Sequence, residues 1–458
     1  MTPKSDSNFH APDNELGLLF SIKAFLISAG MLSLLFLVIQ WLARGRPLVN
    51  DKPQPQIEQT SAQSQSPVPL SRGERILLTQ STSSLKEKGA AAISSNDFPA
   101  ALSALKAARG ADISDPETLI YLNNARIGDT EEVHEIAVIV PAVTNPDIAN
   151  SILQGVAQAQ TQINEADGIQ GKPIRLVLGD DQGDVEIAQE IATELSQAKN
   201  LVGVIGHDDT STAKAAIEIY KEQKLSLISN STAIKTSPFV RPMLSSNITV
   251  ARALSHYMMK LNYGRVALFY DSNSNDSYSF KANFETSYKG SSLEQVDLAD
   301  LPQKIESKAL NTNVVLLSPG NSSLKKLTEA LLDSKPRLFA THELFTPGTL
   351  SQLGSIADKT ILAVPDRLYQ SAASPFSDRP LKLWGTMTDL HTTAAYNAAQ
   401  TMIWGLKQTP NREGVNLAFD NIDNRTIRLL QVSINNDAAT GYELLPIGVI
   451  RDNQLQPN

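Results

Sequence analysis

The chain of 458 residues contains no cysteine. That excludes disulfides, thiolate metal sites and cysteine nucleophiles. Histidine is scarce, and the six residues His10, His134, His207, His256, His342 and His391 nowhere show the His-x-x-x-His spacing of a helical zinc site. There is no Gly-x-Ser-x-Gly elbow, no P-loop and no Gly-x-Gly-x-x-Gly. The chain has no cluster of lysine and arginine, and its formal charge is −8, which argues against nucleic acid or an anionic lipid surface as main partner. His207 and His342 follow candidate strands, but no nucleophile stands beside either. Binding without chemistry is the favoured reading: no catalytic residue, cofactor or resident metal is expected.

What the chain does have is a regular alternation between residues 135 and 232. The run Glu135-Ile-Ala-Val-Ile-Val140 is apolar throughout, as expected of a strand buried on both faces. Ile152, Leu153, Val156, Ala159 and Ile163 then recur at helical spacing. The chain turns through residues 168–171 and re-enters strand at 174–178. The polar segment Gly179-Asp-Asp-Gln-Gly-Asp184 leads to a helix near 185–198. A third strand, 201–205, runs into Gly206-His-Asp-Asp-Thr-Ser-Thr212 and a third helix, and a fourth, 225–229, ends at Asn230-Ser-Thr232. This order predicts an α/β fold with a parallel sheet, whose ligands bind at the carboxyl ends of the strands. The polar strand ends at Gly206 and Asn230 therefore mark a candidate binding edge.

These motifs, in this order and spacing, resemble the type I periplasmic-binding fold of branched-chain amino acid and amide receptors, from Glu135 to the end of the chain. The resemblance implies two lobes of parallel sheet flanked by helices, with the chain crossing between them three times so that they close about a hinge. The binding domain is expected over 133–458. One lobe is read as 133–250 with 360–425, the other as 251–359 with part of the tail. Strand 360–364 and helix 392–406 are read as the return to the first lobe. In the second lobe the pattern repeats with strands at 265–270, 313–318 and 337–340.

The loop 208–212 points to binding on its own chemistry. Thr210 or Ser211 can cap the helix that follows, whose first N–H groups are unpaired and partly positive, so an anionic group is favoured there. The resemblance places a ligand-binding hydroxyl at Thr210 and a second ligand loop at Ser231 and Thr232. It also places at Glu343 the carboxylate that pairs with a ligand ammonium. Two departures from the family pattern stand out. Asp208 and Asp209 replace apolar or small residues; inward they would repel a carboxylate, outward they would help the helix start. The second lobe lacks the usual aromatic after its first strand, having Asn275 and Asp276, with Tyr278 as nearest substitute. Asp180, Asp181 and Asp184 match a segment read as structural, not as a cation site.

Ahead of this domain, residues 1–23 form a tail and residues 24–43 carry no charge. Twenty such residues span a hydrocarbon core of ~30 Å at 1.5 Å per residue. A retained anchor is expected in preference to a cleaved signal peptide, since no small-x-small cleavage site follows. Arg44, Arg46 and Lys52 after the span, against Lys4 and Lys23 before it, would put the large domain in the cytoplasm. The resemblance implies the opposite side. Residues 44–74 read as a disordered tether rich in Pro, Gln and Ser. Residues 75–130 read as a helical module, in which Leu85, Gly89, Ala92, Phe98, Ala101, Leu105 and Ala108 match one tetratricopeptide-like repeat. A plain helical hairpin fits equally. A lone repeat cannot bury its apolar face, so packing on the binding domain or a partner is expected.

Two functions follow from the resemblance. One is a membrane-anchored extracytoplasmic receptor that closes on an amino acid, amide or similar polar metabolite and serves an ABC permease or a sensor. The other is a cell-envelope regulator that uses the same fold as a protein-docking surface, as penicillin-binding-protein activators do. Those proteins, like many solute receptors, carry a lipidation cysteine that this chain lacks.

Overall fold

A computed structural model describes residues 68–231, 234–300, 314–318, 324–331, 336–422, 426–438, 440–451 and 454–456. The expected tail, the 24–43 span, the tether up to residue 67 and Thr232 lie outside them. Among the described residues no helix is long and apolar enough to cross a membrane.

Each of the two sheets follows from the alternation read in the sequence. The first runs β1 (Leu70–Ser71), β3 (Ile174–Gly179), β2 (His134–Ile139), β4 (Leu201–Gly206), β5 (Ser226–Ser229), β6 (Val240–Pro242). All neighbours are parallel except β1, which pairs antiparallel with β3. Every residue of β2 and β4 is buried, because helices cover both faces. The helix Pro146–Glu165 turns Ile152, Leu153, Val156, Ala159 and Ile163 into the core, and all five are buried.

The second sheet runs β14 (Gln454–Gln456), β13 (Tyr442–Arg451), β12 (Thr426–Ile434), β11 (Ile361–Pro365), β10 (Arg337–Ala340), β9 (Val314–Ser318), β7 (Arg265–Tyr270), β8 (Ser292–Asp297). The span from β8 to β11 is parallel and the rest antiparallel. Strand β11 is thus central to the second sheet, and the expectation that residues 360–364 return to the first lobe is corrected. Its two neighbours, β10 and β12, supply the backbone partners for a strand buried along its whole length. The return is made one element later, by the helix Leu390–Gln408.

That helix lies against Pro146–Glu165 so closely that a Cβ on Gly155 would sit 2.2 Å from the carbonyl oxygen of Thr392. The side chain of Arg412, in the next helix, donates to the carbonyls of Leu201 (2.8 Å) and Ala198 (2.9 Å). The chain therefore passes between lobes three times: after β6, after β11 and before β12.

In both lobes the first strand has its successor on one side and the third strand on the other, giving β3-β2-β4-β5 and β8-β7-β9-β10. This order creates a crevice at the carboxyl ends of the strands flanking the reversal.

The helical module is a hairpin of Ser84–Ser94 and Phe98–Ala111, closed by Pro116–Ile127. Gly89 meets Leu105 at the hairpin seam, where an added Cβ would lie 2.5 Å from Leu105 Cγ. The third helix is almost wholly buried and joins the first lobe as an extra layer. The Nδ2 of Asn124 donates to the carbonyl of Leu176 in β3 (2.8 Å), and Arg72 clamps Glu135 at 2.7 and 3.0 Å. The module thus buries its apolar face on the binding domain. Lys86, fully buried, sits 2.9 Å from Asp115 and 2.7 Å from Glu117.

Candidate functional site

Strand β4 ends at Gly206 with φ near 131°, and a Cβ there would lie 2.0 Å from the carbonyl oxygen of Ile139. Only glycine can turn the chain so close to β2. His207 follows, buried, its ring held between Asp181 Oδ2 (2.8 Å) and Tyr220 OH (3.1 Å). With both ring nitrogens engaged, His207 is a structural pin of the loop. Its bond helps hold Asp181 below the usual carboxylate range despite burial. Asp180 accepts from the N–H of Val143 (3.1 Å) and of Gln182 (2.9 Å), and Asp184 caps the helix Val185–Gln197. The acidic segment is therefore consumed in building the turn.

The helix Thr210–Glu222 is capped by Asp209, whose Oδ1 accepts from the N–H of Ser211 (2.7 Å) and of Thr212 (3.4 Å). Neither Thr210 nor Ser211 is the cap, as the sequence had suggested. A carboxylate fills that role better, because it offers a full charge to the helix dipole. The Ser211 hydroxyl also turns back to Asp209, and both residues are exposed. Thr210 is released by this arrangement, and its hydroxyl lies 2.8 Å from that of Ser231 at the end of β5. Asp208 accepts from the Nδ2 of Asn230 on that same loop.

On the second lobe, Ser274 caps the helix Asn275–Ser287, which starts just beyond the carboxyl end of β7. Asn275 and Asp276 are its first two residues. Tyr278 is about half exposed; its ring centroid is 6.3 Å from that of Tyr270, and the Lys281 ammonium lies 5.4 Å away. Tyr278 is thus engaged with its own helix and strand. Beyond β10 the short turn His342–Leu344 carries a buried His342 and a half-buried Glu343.

Charged groups on these loops influence one another. Burial raises the Asp208 carboxyl; Asn230 and His391 oppose the rise, while Asp276 and Asp181 add to it. Burial pushes Glu343 up to about 8, with Asp276 and Asp271 contributing. Burial pushes His342 down to about 4, against Asp276 and together with His391. Asp276 of the second lobe therefore acts on Asp208 of the first, and His391 of the returning helix acts on residues of both.

Asp208, Thr210, Asn230 and Ser231 thus gather at strand ends of the first lobe, and Asp276 and Glu343 at strand ends of the second. Sequence reading gave no sign of His391, which stands at a helix start far along the chain from every other site residue. Cavities of about 460, 510 and 590 Å³ lie elsewhere, beside Trp404, Phe376 and Arg412 respectively. Among the described residues no group of three or more His, Cys, Asp or Glu could hold a metal.

Known proteins give the context for this cleft. The family described as Periplasmic binding protein matches residues 134–426, well over half of the chain. An amino acid binding protein of Pseudomonas aeruginosa is 32% identical over 95 residues, a stretch covering 19% of this chain and 25% of that relative. The chain thus matches only a quarter of that relative's length. Among solved structures, an ABC transporter substrate-binding protein from Sphaerobacter thermophilus has 16% identity and a TM-score of 0.56, covering 70% of this chain and 98% of its own. The branched-chain amino acid transporter substrate-binding protein LivJ from Streptococcus pneumoniae, in complex with isoleucine, has 16% identity, a TM-score of 0.51 and coverages of 69% and 99%. A solute-binding protein of R. palustris, in complex with benzoate, has 15% identity, a TM-score of 0.52 and coverages of 71% and 98%. At these identities the structures establish the two-lobed type I fold, while the match over 134–426 establishes descent. The chain belongs to the periplasmic binding protein family.

Proposed function

We propose that this protein is an extracytoplasmic solute receptor that closes its two lobes around an amino acid, amide or similar small polar metabolite, for ABC-type uptake or sensing. Residues 24–43 would hold it to the membrane as a single-pass anchor. The observation that carries the reading is that Asp208 and the Thr210 and Ser231 hydroxyls, 2.8 Å apart, gather at the carboxyl ends of parallel strands β4 and β5, while Asp276 and Glu343 follow the carboxyl ends of β7 and β10 in the other lobe. Ligands of such folds bind at that edge, and hinge closure buries them. The amino acid binding relative of Pseudomonas aeruginosa supports the ligand class.

A thermal-shift screen of the full-length protein against amino acids, amides and nucleosides tests this. A ligand present at 100 times its dissociation constant adds roughly 2.7 kcal/mol of stability. At least one compound class is expected to raise Tm. A flat response over the whole panel would leave the cleft as a protein-docking surface instead.

A further inference from the structure

Resting on the reading that the two lobes close on a solute, we propose that the helical module governs their opening, by gripping residues 366–389 where the chain crosses from the second lobe back to the first.

Three bodies meet on this crossing. The second lobe holds its start. Arg428 of β12 donates to Asp366, and its guanidinium lies 5.3 Å from the Tyr369 ring centroid. The Phe376 ring lies 5.0 Å from that of Phe345, just beyond β10. The first lobe holds the crossing from the other side. The carbonyls of Arg367 and Ala373 accept from Asn397 and Thr393 of the returning helix, at 3.0 Å each, and Asp389 accepts from Ser151 (2.7 Å). The module holds the stretch between. Arg109, on the helix Phe98–Ala111, donates through Nη2 to the carbonyl of Leu383 (2.7 Å). Its guanidinium lies 4.8 Å from the ring centroid of the fully buried Trp384.

The grip falls where the crossing changes direction. The helix Asp378–Trp384 ends at Gly385 with φ near 68°, the left-handed region that glycine adopts without strain. Ile113 of the module closes over it, so that a Cβ on Gly385 would lie 2.7 Å from Ile113 Cδ1. Rotation of one lobe against another is absorbed by a few residues at element ends, and Gly385 occupies such an end. The neighbouring Ser114 ties this turn of the module to the first lobe, its carbonyl accepting from Gln154 (3.4 Å), which in turn accepts from Thr392 (3.4 Å). The module therefore rides on the first lobe and restrains the crossing that the second lobe pulls. A contact that is kept in one arrangement of the lobes and weakened in another couples the two, and by linkage closure of the cleft acts back on the module.

Because the chain has no cysteine, two labels can be placed without competition. Lys214→Cys and Ala282→Cys, both exposed, carry nitroxides on one helix of each lobe in the full-length protein, and pulsed electron spin resonance reads the distances between them. Arg109→Gln and, separately, Ile113→Ala should broaden that distribution or move its mean by about 2 Å or more, the scale of helix shifts in such transitions. Lys106→Gln, exposed on the same helix as Arg109, should leave it unchanged. Distances equal to wild type in both Arg109→Gln and Ile113→Ala would overturn the inference and reduce the contact to packing. So would an equal change in Lys106→Gln. With a compound of the thermal-shift panel still raising Tm, either result leaves the receptor reading standing. With a flat panel, both readings fall.

Discussion

The hydroxyl groups of Thr210 and Ser231 lie 2.8 Å apart although they belong to separate loops, one opening a helix and the other closing β5. On the proposed reading, a ligand carboxylate or amide entering between them would exchange this bond for bonds to itself. Thr210→Val keeps the shape and removes the hydroxyl, so it should weaken ligand binding by about tenfold or more, as loss of a charged hydrogen bond of ~1.5–3 kcal/mol implies. Calorimetric titration measures the loss, and an unchanged melting temperature of the empty protein would show that the fold is intact. Affinity equal to wild type would remove Thr210 from the site.

Glu343 predicts a pH dependence of the empty protein. Its carboxyl holds a proton up to about 8 in the folded chain, against an ordinary value of 4.5. Between those values the native state binds more protons than the unfolded state, so this group makes stability fall as pH rises from about 4.5 to about 8. Asp208, also raised, acts in the same sense. Glu343→Gln should flatten the decline of Tm across that window and should also weaken binding of an ammonium ligand. Melting curves from pH 5 to 9, expected to show the largest gain of the variant over wild type above pH 8, check the sign.

Lys86 should be essential to the helical module. It is fully buried between Asp115 and Glu117, and Lys86→Met would leave two buried carboxylates without a cation. Breaking such a group costs about 3–5 kcal/mol. Because Glu117 also accepts from the N–H of Leu77 (2.6 Å) and of Leu78 (3.1 Å), the loss should spread to the strap that carries β1. Chemical denaturation of the variant, followed by circular dichroism, should show the lower midpoint. An unchanged midpoint would mean that the carboxylates reach water.

Gly155→Ala tests the seam between the two long helices of the first lobe. Its Cβ would fall 2.2 Å from a backbone oxygen of Thr392, which cannot rotate away. Overpacking of this kind costs about 1–3 kcal/mol, against which the helix propensity of alanine returns at most about 1 kcal/mol. The variant should melt several degrees below wild type. A rise in Tm would show that the two helices move apart without cost.

Much of this protein is written locally. The all-apolar β2, the helical spacing from Ile152 to Ile163 and the polar strand ends each depend on neighbours in sequence, so their elements and order could be read directly. The placement of β11 could not, because an apolar run fits either sheet equally and only hydrogen bonding to β10 and β12 decides which one receives it. The cap of the helix Thr210–Glu222 shows the same limit on a smaller scale. Asp209, Thr210 and Ser211 are all competent caps, and the turn after His207 selects the carboxylate.

The residues alone determined that two α/β lobes form and that polar loops gather at the carboxyl ends of their strands. Period and polarity are properties of adjacent residues. Tertiary structure alone decided that Asp208 comes under the influence of Asp276 and of His391 from a distant helix, and that burial raises the Glu343 carboxyl. Charge interaction and desolvation depend on distance through space and on exclusion of water, and neither exists until the lobes are packed.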